Sequence, residues 1–366
     1  MQFDLEKKMA LLALSWVAPI VELGLCSRDR CDRGKRREAY LRRRRAVGRT
    51  NYSEILVTGG FGYLGGRIAE HFRRQGYPVA ILSLPPRPEA MKWVAGFDIR
   101  IADVTKPETL RGTVRPGSAV IHLASVNQQT CERDPLQSVL VNGMGTFNML
   151  EEASASKSAR FIYFSTFHVY GKITSREIDE ESVPCPILHY GVSHLLGEMF
   201  VAQARMRGLQ AVSLRPTNGY GAPAHLWTDC WMLALNDFCR TAVNQGRIVL
   251  ATAGEQRRDF VSIRDIIQAL ELMLNPSPPF DAVYNVGGDN VLSIRELAQH
   301  VVEVAGKDYG RRIRLEIPGK GATPVVPWLP FRCDRIKKLG YRPKDAKDEI
   351  REAIRALFHL LGWERR

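Results

Sequence analysis

The 366-residue chain is 45% hydrophobic and 25% charged, the ordinary balance of a soluble globular protein. That balance argues against a disordered chain, a collagen-like chain and a polytopic membrane protein, and the length suits one large domain or two ordinary ones. The net charge of +13 is unevenly placed, since residues 1–50 hold 13 Lys/Arg against 6 Asp/Glu, so the remainder is only mildly basic and gives weak support for a nucleic-acid partner.

The first 52 residues read as a basic extension. Met9 to Val21 is apolar except for Ser15 and follows Lys7 and Lys8, which outlines a signal peptide. Pro19 and Glu22 interrupt the run, no A-x-A site follows, and Leu25 sits poorly before Cys26 for lipoprotein cleavage. The run also falls short of the roughly 20 residues of a membrane-spanning helix. Arg28 to Arg49 then includes Arg42-Arg43-Arg44-Arg45. The preferred reading is a non-native or disordered extension. The others are export, or an arm for polyanions or anionic lipid, which is the one membrane contact foreseen.

The seven cysteines (Cys26, Cys31, Cys131, Cys185, Cys230, Cys239, Cys333) are odd in number and scattered, with no CxxC pair. Neither a disulfide framework nor a metal site is expected, and reduced thiols suit a cytoplasmic protein.

From Ser53 the pattern becomes β-branched runs alternating with helical stretches. Glu54 to Thr58 reads as a buried strand, Gly59 to Gly66 as a glycine-rich turn, and Ile68 to Gln75 as an amphipathic helix. Further strands are expected near 78–83, 98–102, 118–123, 159–165 and 210–215. Strands separated by helices predict parallel pairing with right-handed crossovers, hence a Rossmann-type doubly wound sheet. The turn has glycines at G-x-x-G-x-x-G spacing. Gly59 permits the tight turn, Gly62 lets backbone approach phosphate, and Gly65 lets the helix pack close. The helix N-terminus then offers N–H groups to a pyrophosphate. At the end of the second strand Ser83 stands where an acidic residue would bind a ribose 2′-hydroxyl, and Arg87 follows. Arg87 could meet a 2′-phosphate, although a solvated loop charge is preferred, so NAD against NADP stays open.

With these residues in place, the chain from about 53 to 366 resembles the extended short-chain dehydrogenase/reductase family, in its nucleotide-sugar epimerase and dehydratase branch. The matching segments in order are Ala102-Asp103-Val104, Val120 to Ser125, Val141 to Thr146, Phe164 to Gly171, Tyr190 to His194 with Glu198, Leu214 to Gly221, and Gln256 to Val261. The resemblance implies a dinucleotide-binding part over about 53–217 and a smaller substrate lobe over about 218–366. It implies NAD, or NADP, held by Gly59, Phe61, Gly62, Tyr63, Leu64, Gly65, Asp103, Val104, Leu123, Ala124, Ser125, Tyr190 and His194. The segment around Asn142 is expected to start a helix. Tyr284 to Gly288 and Ser293 to Leu297 are expected in the smaller lobe, and the apolar stripe after Asp348 as ordinary packing.

The family's reaction begins with hydride transfer from a sugar carbon, so a base must take the hydroxyl proton. By resemblance that base is Tyr190, with Thr166 donating to the sugar oxygen. A helix start favours the tyrosinate electrostatically. The family has Lys where this chain has His194, and an unperturbed imidazole is only about a quarter protonated at pH 7. The 4,6-dehydratases place Asp-Glu after the catalytic Thr and the decarboxylases a Glu at the second position, whereas this chain has Phe167-His168. Epimerisation or keto-sugar reduction is therefore expected. Packing is preferred for His168 over an acid role. Asn218 and Arg258 match residues that bind the substrate's diphosphate. Arg258 has a surface ion pair, with Asp259 as the nearest candidate, as its alternative. A homodimer through helices near 135–156 and 189–207 is expected on resemblance alone. The competing reading is a dinucleotide-binding regulatory or scaffold protein without turnover, prompted by His194.

Overall fold

A computed structural model describes residues 52–172, 176–275, 281–318 and 329–365. The basic extension, with Cys26 and Cys31, lies outside the described residues apart from Tyr52. Among the described residues no helix is long and apolar enough to cross a membrane.

Seven strands form one parallel sheet: β1 (Ile55–Thr58), β2 (Val79–Ser83), β3 (Asp98–Ile101), β4 (Ala119–His122), β5 (Arg160–Phe164), β6 (Ala211–Pro216) and β10 (Val283–Val286). Their order is β10-β6-β5-β4-β1-β2-β3. The chain leaves β1 toward β2 and β3, then returns to add β4 on the other side. The crevice beyond the carboxyl ends of β1 and β4 is thus a topological switch point, where such sheets bind ligands.

Alternation within the strands explains both covered faces. Ile55 and Val57 pack with Ile68, Ala69 and Phe72 of α1 (Tyr63–Arg74) and with Ile266 and Leu270 of α5 (Ile263–Met273). Leu56 between them turns to the opposite face, toward Met149 and Leu150 of α2 (Gly145–Ala155) and Val201 and Ala204 of α3 (His189–Met206). Successive strand side chains point to opposite faces, so a continuously apolar strand is buried twice.

The smaller lobe has its own core. Phe238 and Cys239 of α4 (Ala234–Gln245) meet Leu297 and Val301 of α6 (Ile294–Tyr309) and Ile354, Leu357 and Phe358 of α7 (Ala346–Leu360). The stripe read after Asp348 is this packing face. A three-stranded sheet, β11-β9-β7, joins β7 (Asn218–Tyr220), β9 (Arg257–Ser262) and β11 (Val291–Ser293), while β8 (Arg247–Val249) pairs with β12 (Arg314–Glu316).

Three expectations need correction. Tyr284-Asn285-Val286 does not belong to the smaller lobe, because β10 pairs in parallel with β6 and buries Tyr284 and Val286 in the main core. The glycine turn is shorter than Gly59 to Gly66, since α1 begins at Tyr63 and takes Gly65 and Gly66 into its first turns. Asn142 does not start a helix. It lies in a π-helical stretch, Val139–Met144, between helical Pro135–Ser138 and α2, and such insertions accompany functional sites.

Candidate active site

The glycine turn is closed by the Gly62 amide donating to the Gly59 carbonyl (2.8 Å). Gly59 has φ +65°, and a Cβ there would crowd the Leu123–Ala124 backbone at 3.0 Å. A Cβ on Gly65 would collide with the Gly59 carbonyl oxygen. The sequence therefore needs glycine here for close approach as well as for dihedral freedom. Thr58 locks the two strand ends together, accepting from the amides of Leu123 and Ala124 (both 3.1 Å). Gly59, Gly62, Gly65, Leu123 and Ala124 thus meet at the carboxyl ends of β1 and β4. Phe61 lies edge-on to Trp93 and Trp227, and the Tyr63 hydroxyl donates to the Gly221 carbonyl (2.9 Å). Leu64 packs against the main core.

Two of the expected cofactor residues make local bonds. Asp103 accepts from the Thr105 amide (3.0 Å) and hydroxyl (2.7 Å). Burial would raise its pKa, but these bonds and the Lys106 charge outweigh it and leave the carboxyl below its ordinary range. Ser125 is exposed and donates back to the Leu123 carbonyl (3.3 Å). Val104 is buried against Gly145.

Tyr190 is the second residue of α3. The helix start reaches the turn Phe167–Val169 because position 191 is glycine, where a Cβ would stand 2.6 Å from the His168 carbonyl oxygen. The Tyr190 ring meets His194 edge-on at 4.5 Å and His168 at 5.8 Å. The Thr166 hydroxyl accepts from the His168 amide (3.2 Å) and lies within reach of the Tyr190 phenol oxygen. Arg215 and Glu198 form a buried bidentate pair (2.9 and 2.6 Å) that ties α3 to β6.

The electrostatics correct the expectation for both titrating residues. The helix start does not leave Tyr190 with a low pKa: burial pushes it up to about 12, Cys131 adds to this, and the bond with Thr166 only partly opposes it. His194 is not a quarter protonated at neutral pH. Burial drives its pKa to about 3, His168 reinforces the shift, and the Phe164 carbonyl opposes it. Burial and then Arg258 bring His168 to about 4. All three rings are neutral at pH 7.

A buried chain of polar groups runs beneath them, which the sequence reading did not single out. His122 Nδ1 bonds the Thr58 hydroxyl (2.8 Å) and Nε2 bonds the Thr146 hydroxyl (3.1 Å). Thr146 donates to the Asn142 carbonyl (2.6 Å), so His122 must donate from Nε2 and accept from Thr58 at Nδ1. Tyr163 Oη lies 3.0 Å from His194 Nδ1. A polar His122 ending the apolar run Ala119-Val120-Ile121 was the available signal.

This arrangement has a consequence in acid. His122, held by burial and then His194 at about 3, and His194 itself both lie below the ordinary histidine value. Protons therefore bind the unfolded chain first. Stability is complete above about pH 6.5 and falls toward pH 3 by about 1.4 kcal/mol per pH unit for each ring. The raised carboxyls of Asp259 and Asp265, both shifted chiefly by burial, act in the opposite sense. A urea midpoint dropping steeply from pH 7 to pH 5 is expected, with a shallower slope in His122→Asn. A midpoint independent of pH over that range would contradict this account.

On the lobe side, Asn218 donates to the Asp259 carbonyl (3.0 Å), and β7 pairs with β9. The Asp259 carboxylate faces inward to Thr217 Oγ1 (2.7 Å) and the amides of Gly288 and Asn290. It is therefore not the partner of Arg258. Arg258 is an exposed residue as a whole, but burial around its guanidinium lowers its pKa, and its charge is near enough to His168 to depress it. Among the described residues, no His/Cys/Asp/Glu cluster suits a metal ion.

A model of the family described as "NAD dependent epimerase/dehydratase family" matches residues 55–287. The chain belongs to this family. Among curated relatives, dTDP-glucose 4,6-dehydratase of Streptomyces niveus is 28% identical over 69% of this chain and 77% of its own. A putative UDP-glucose 4-epimerase of Methanocaldococcus jannaschii is 27% identical over 82% and 97%. Among solved structures, the UDP-glucose 4-epimerase of Thermus thermophilus complexed with NAD superposes with TM-score 0.69, at 24% identity over 83% of this chain and 98% of that one. RMD from Pseudomonas aeruginosa complexed with NADPH gives 0.67, at 24% over 84% and 98%. These place the chain among extended short-chain dehydrogenase/reductase proteins, a family of epimerases, reductases and dehydratases.

Proposed function

We propose that the protein is an NAD(P)-dependent epimerase or reductase acting on a nucleotide-activated sugar through a keto intermediate. The observation that carries the reading is the meeting of Tyr190, Thr166 and His194, joined through Tyr163, His122 and Thr58 to the end of β1 from which the glycine turn leaves. The residues fit a dinucleotide. Glycine at 65 lets the helix N-terminus pack directly against the Gly59–Gly60 backbone, which brings its amides to the turn, and His194 Nε2 is a buried polar atom without a hydrogen-bond partner. Gly59, Phe61, Gly62, Tyr63, Leu64, Gly65, Asp103, Val104, Leu123, Ala124 and Ser125 would hold it, with Tyr190 and His194 at its reactive end. The bound dinucleotide supplies the hydride acceptor, or the donor in the reverse direction.

In this reading Tyr190 takes the sugar hydroxyl proton while Thr166 donates to the same oxygen. With a phenol near 12, Tyr190 needs a positive neighbour to ionise at neutral pH, and the neutral His194 cannot provide it. Base strength thus depends on the charge of the oxidised dinucleotide more than the family's lysine would require. Asn218 and Arg258 take the diphosphate, for which a planar guanidinium is suited.

Dehydration and decarboxylation are disfavoured because Phe167-His168 offers no carboxylate after Thr166. His168 is neutral at pH 7 and packs on Phe167 with ring centroids 4.2 Å apart. Dehydratases are nonetheless among the relatives, so reaction type needs its own test. An epimerase leaves added dinucleotide unconsumed over many turnovers, a reductase oxidises one reduced dinucleotide per product, and a dehydratase releases a product lighter by one water. The last result would overturn this assignment.

A homodimer is proposed through the helical stretch 135–155 and α3. Leu136, Leu140 and Met144 recur every four residues, and Val192, Met199 and Met206 every seven. Leu136, Met199 and Met206 are 68%, 63% and 83% exposed, more apolar surface than helices of a monomer commonly present. Light scattering at micromolar concentration should give twice the 41.2 kDa chain mass. A monomer there would contradict it.

A further inference from the structure

The substitution of an imidazole for the family's ammonium leaves a chemical problem. A lysine donates in any rotamer, whereas a neutral histidine donates from one nitrogen only. His194 is 3% exposed and lacks the charge that would make both nitrogens donors. Its Nδ1 is 3.0 Å from Tyr163 Oη, its Nε2 is buried with no hydrogen-bond partner, and the Phe164 carbonyl beside the ring favours an N–H there.

We propose that Tyr163 is a positioning residue that fixes the His194 tautomer, donating its hydroxyl proton to Nδ1 so that Nε2–H faces the crevice as a donor for a hydroxyl of the dinucleotide's ribose. This rests on the dinucleotide reading above. One alternative acceptor for the Tyr163 proton is the His194 carbonyl at 3.3 Å. That carbonyl lies within α3, where helical bonding already uses it, and its contact is the longer of the two. The Thr146 hydroxyl accepts from His122 and gives its proton to Asn142, and its second lone pair makes it a competing acceptor for Tyr163, so the tautomer of His194 decides between the two. A proton on Nδ1 would send the Tyr163 proton to the His194 carbonyl or to Thr146 and leave Nε2 as a buried acceptor.

Tyr163 is well placed for the task. It is 2% exposed, on β5, and stacks on His122 at 5.9 Å and 26°. Position 197, one turn beyond His194 on α3, is glycine. A Cβ there would strike the phenol oxygen. Gly197 therefore makes the space in which Tyr163 reaches Nδ1. Burial holds the Tyr163 pKa well above its ordinary value, so the hydroxyl keeps the proton it donates.

Selective 15N labelling of the eight histidines, with His194 assigned by its loss in His194→Gln, reads the tautomer of the full-length free protein by NMR. The expected result is protonated Nε2 and unprotonated Nδ1. Tyr163→Phe, which keeps the ring and its packing, should yield a mixture of tautomers. It should also weaken NAD(H) or NADP(H) binding by about fivefold to tenfold, the usual worth of one hydrogen bond. Affinity should recover in Tyr163→Phe/His194→Lys, because an ammonium needs no orienting partner. A protonated Nδ1 in the wild type, or unchanged tautomer and affinity in Tyr163→Phe, would overturn the proposal. Wild-type protein that binds no dinucleotide while showing Nε2–H would instead contradict the functional reading.

Discussion

Tyr190→Phe should lower turnover by roughly 10²–10⁴, the usual worth of a general acid or base, while dinucleotide affinity changes little. The substitution keeps the ring that packs edge-on to His194 and His168 and removes only the oxygen that loses a proton. Because that phenol sits near 12 in the free protein, wild-type activity should rise with pH above neutrality. The deprotonated fraction grows tenfold per pH unit below the pKa. No inflection from His194 or His168 is expected between pH 6 and 8, both rings being already neutral there. His194→Lys should shift the profile to lower pH by adding a fixed positive charge beside the phenol. Full activity in Tyr190→Phe would remove it from the mechanism.

Arg258→Ala should raise the nucleotide-sugar KM by at least about thirtyfold, since truncating one partner of a desolvated charge pair costs roughly 2–5 kcal/mol. The guanidinium has no ion-pair partner among the described residues, and the neighbouring Asp259 is committed to Thr217 and two backbone amides. Arg258→Lys should recover only part of the loss, because an ammonium cannot form the two-pronged contact. Isothermal titration with UDP or dTDP separates this from effects on the reaction. Unchanged affinity in Arg258→Ala would place the diphosphate elsewhere.

The main sheet was legible because its strands are short apolar runs between helices, and six fall within a residue or two of their expected places. The seventh, β10, was assigned to the wrong lobe. Nothing local in Tyr284-Asn285-Val286 distinguishes a strand that returns to the large sheet from one that stays in the small one. That choice is made by its pairing with β6. The candidate site residues can be named from the sequence by type and order, but their ionisation cannot. The sequence shows Tyr190 at a helix start and His194 one turn later, but burial outweighs the helix dipole at one and neutralises the other. The supporting chain of Thr58, His122, Thr146 and Tyr163 was missed because its members lie on four separate elements. Their contacts exist only once β1, β4, β5 and α2 are side by side.

The central claim is that these residues turn over a nucleotide sugar and do not merely hold a dinucleotide. The most direct measurement is an incubation of the full-length protein with NAD or NADP and a panel of UDP-, dTDP- and GDP-sugars, followed by NMR of the sugar protons. Mass alone would not detect an epimer. The account predicts that at least one nucleotide sugar is converted to its epimer or, with reduced dinucleotide and a keto-sugar, to the reduced sugar, and that Tyr190→Phe abolishes the conversion. Tight dinucleotide binding with no change in any sugar of the panel would contradict it and favour a non-catalytic dinucleotide-binding scaffold.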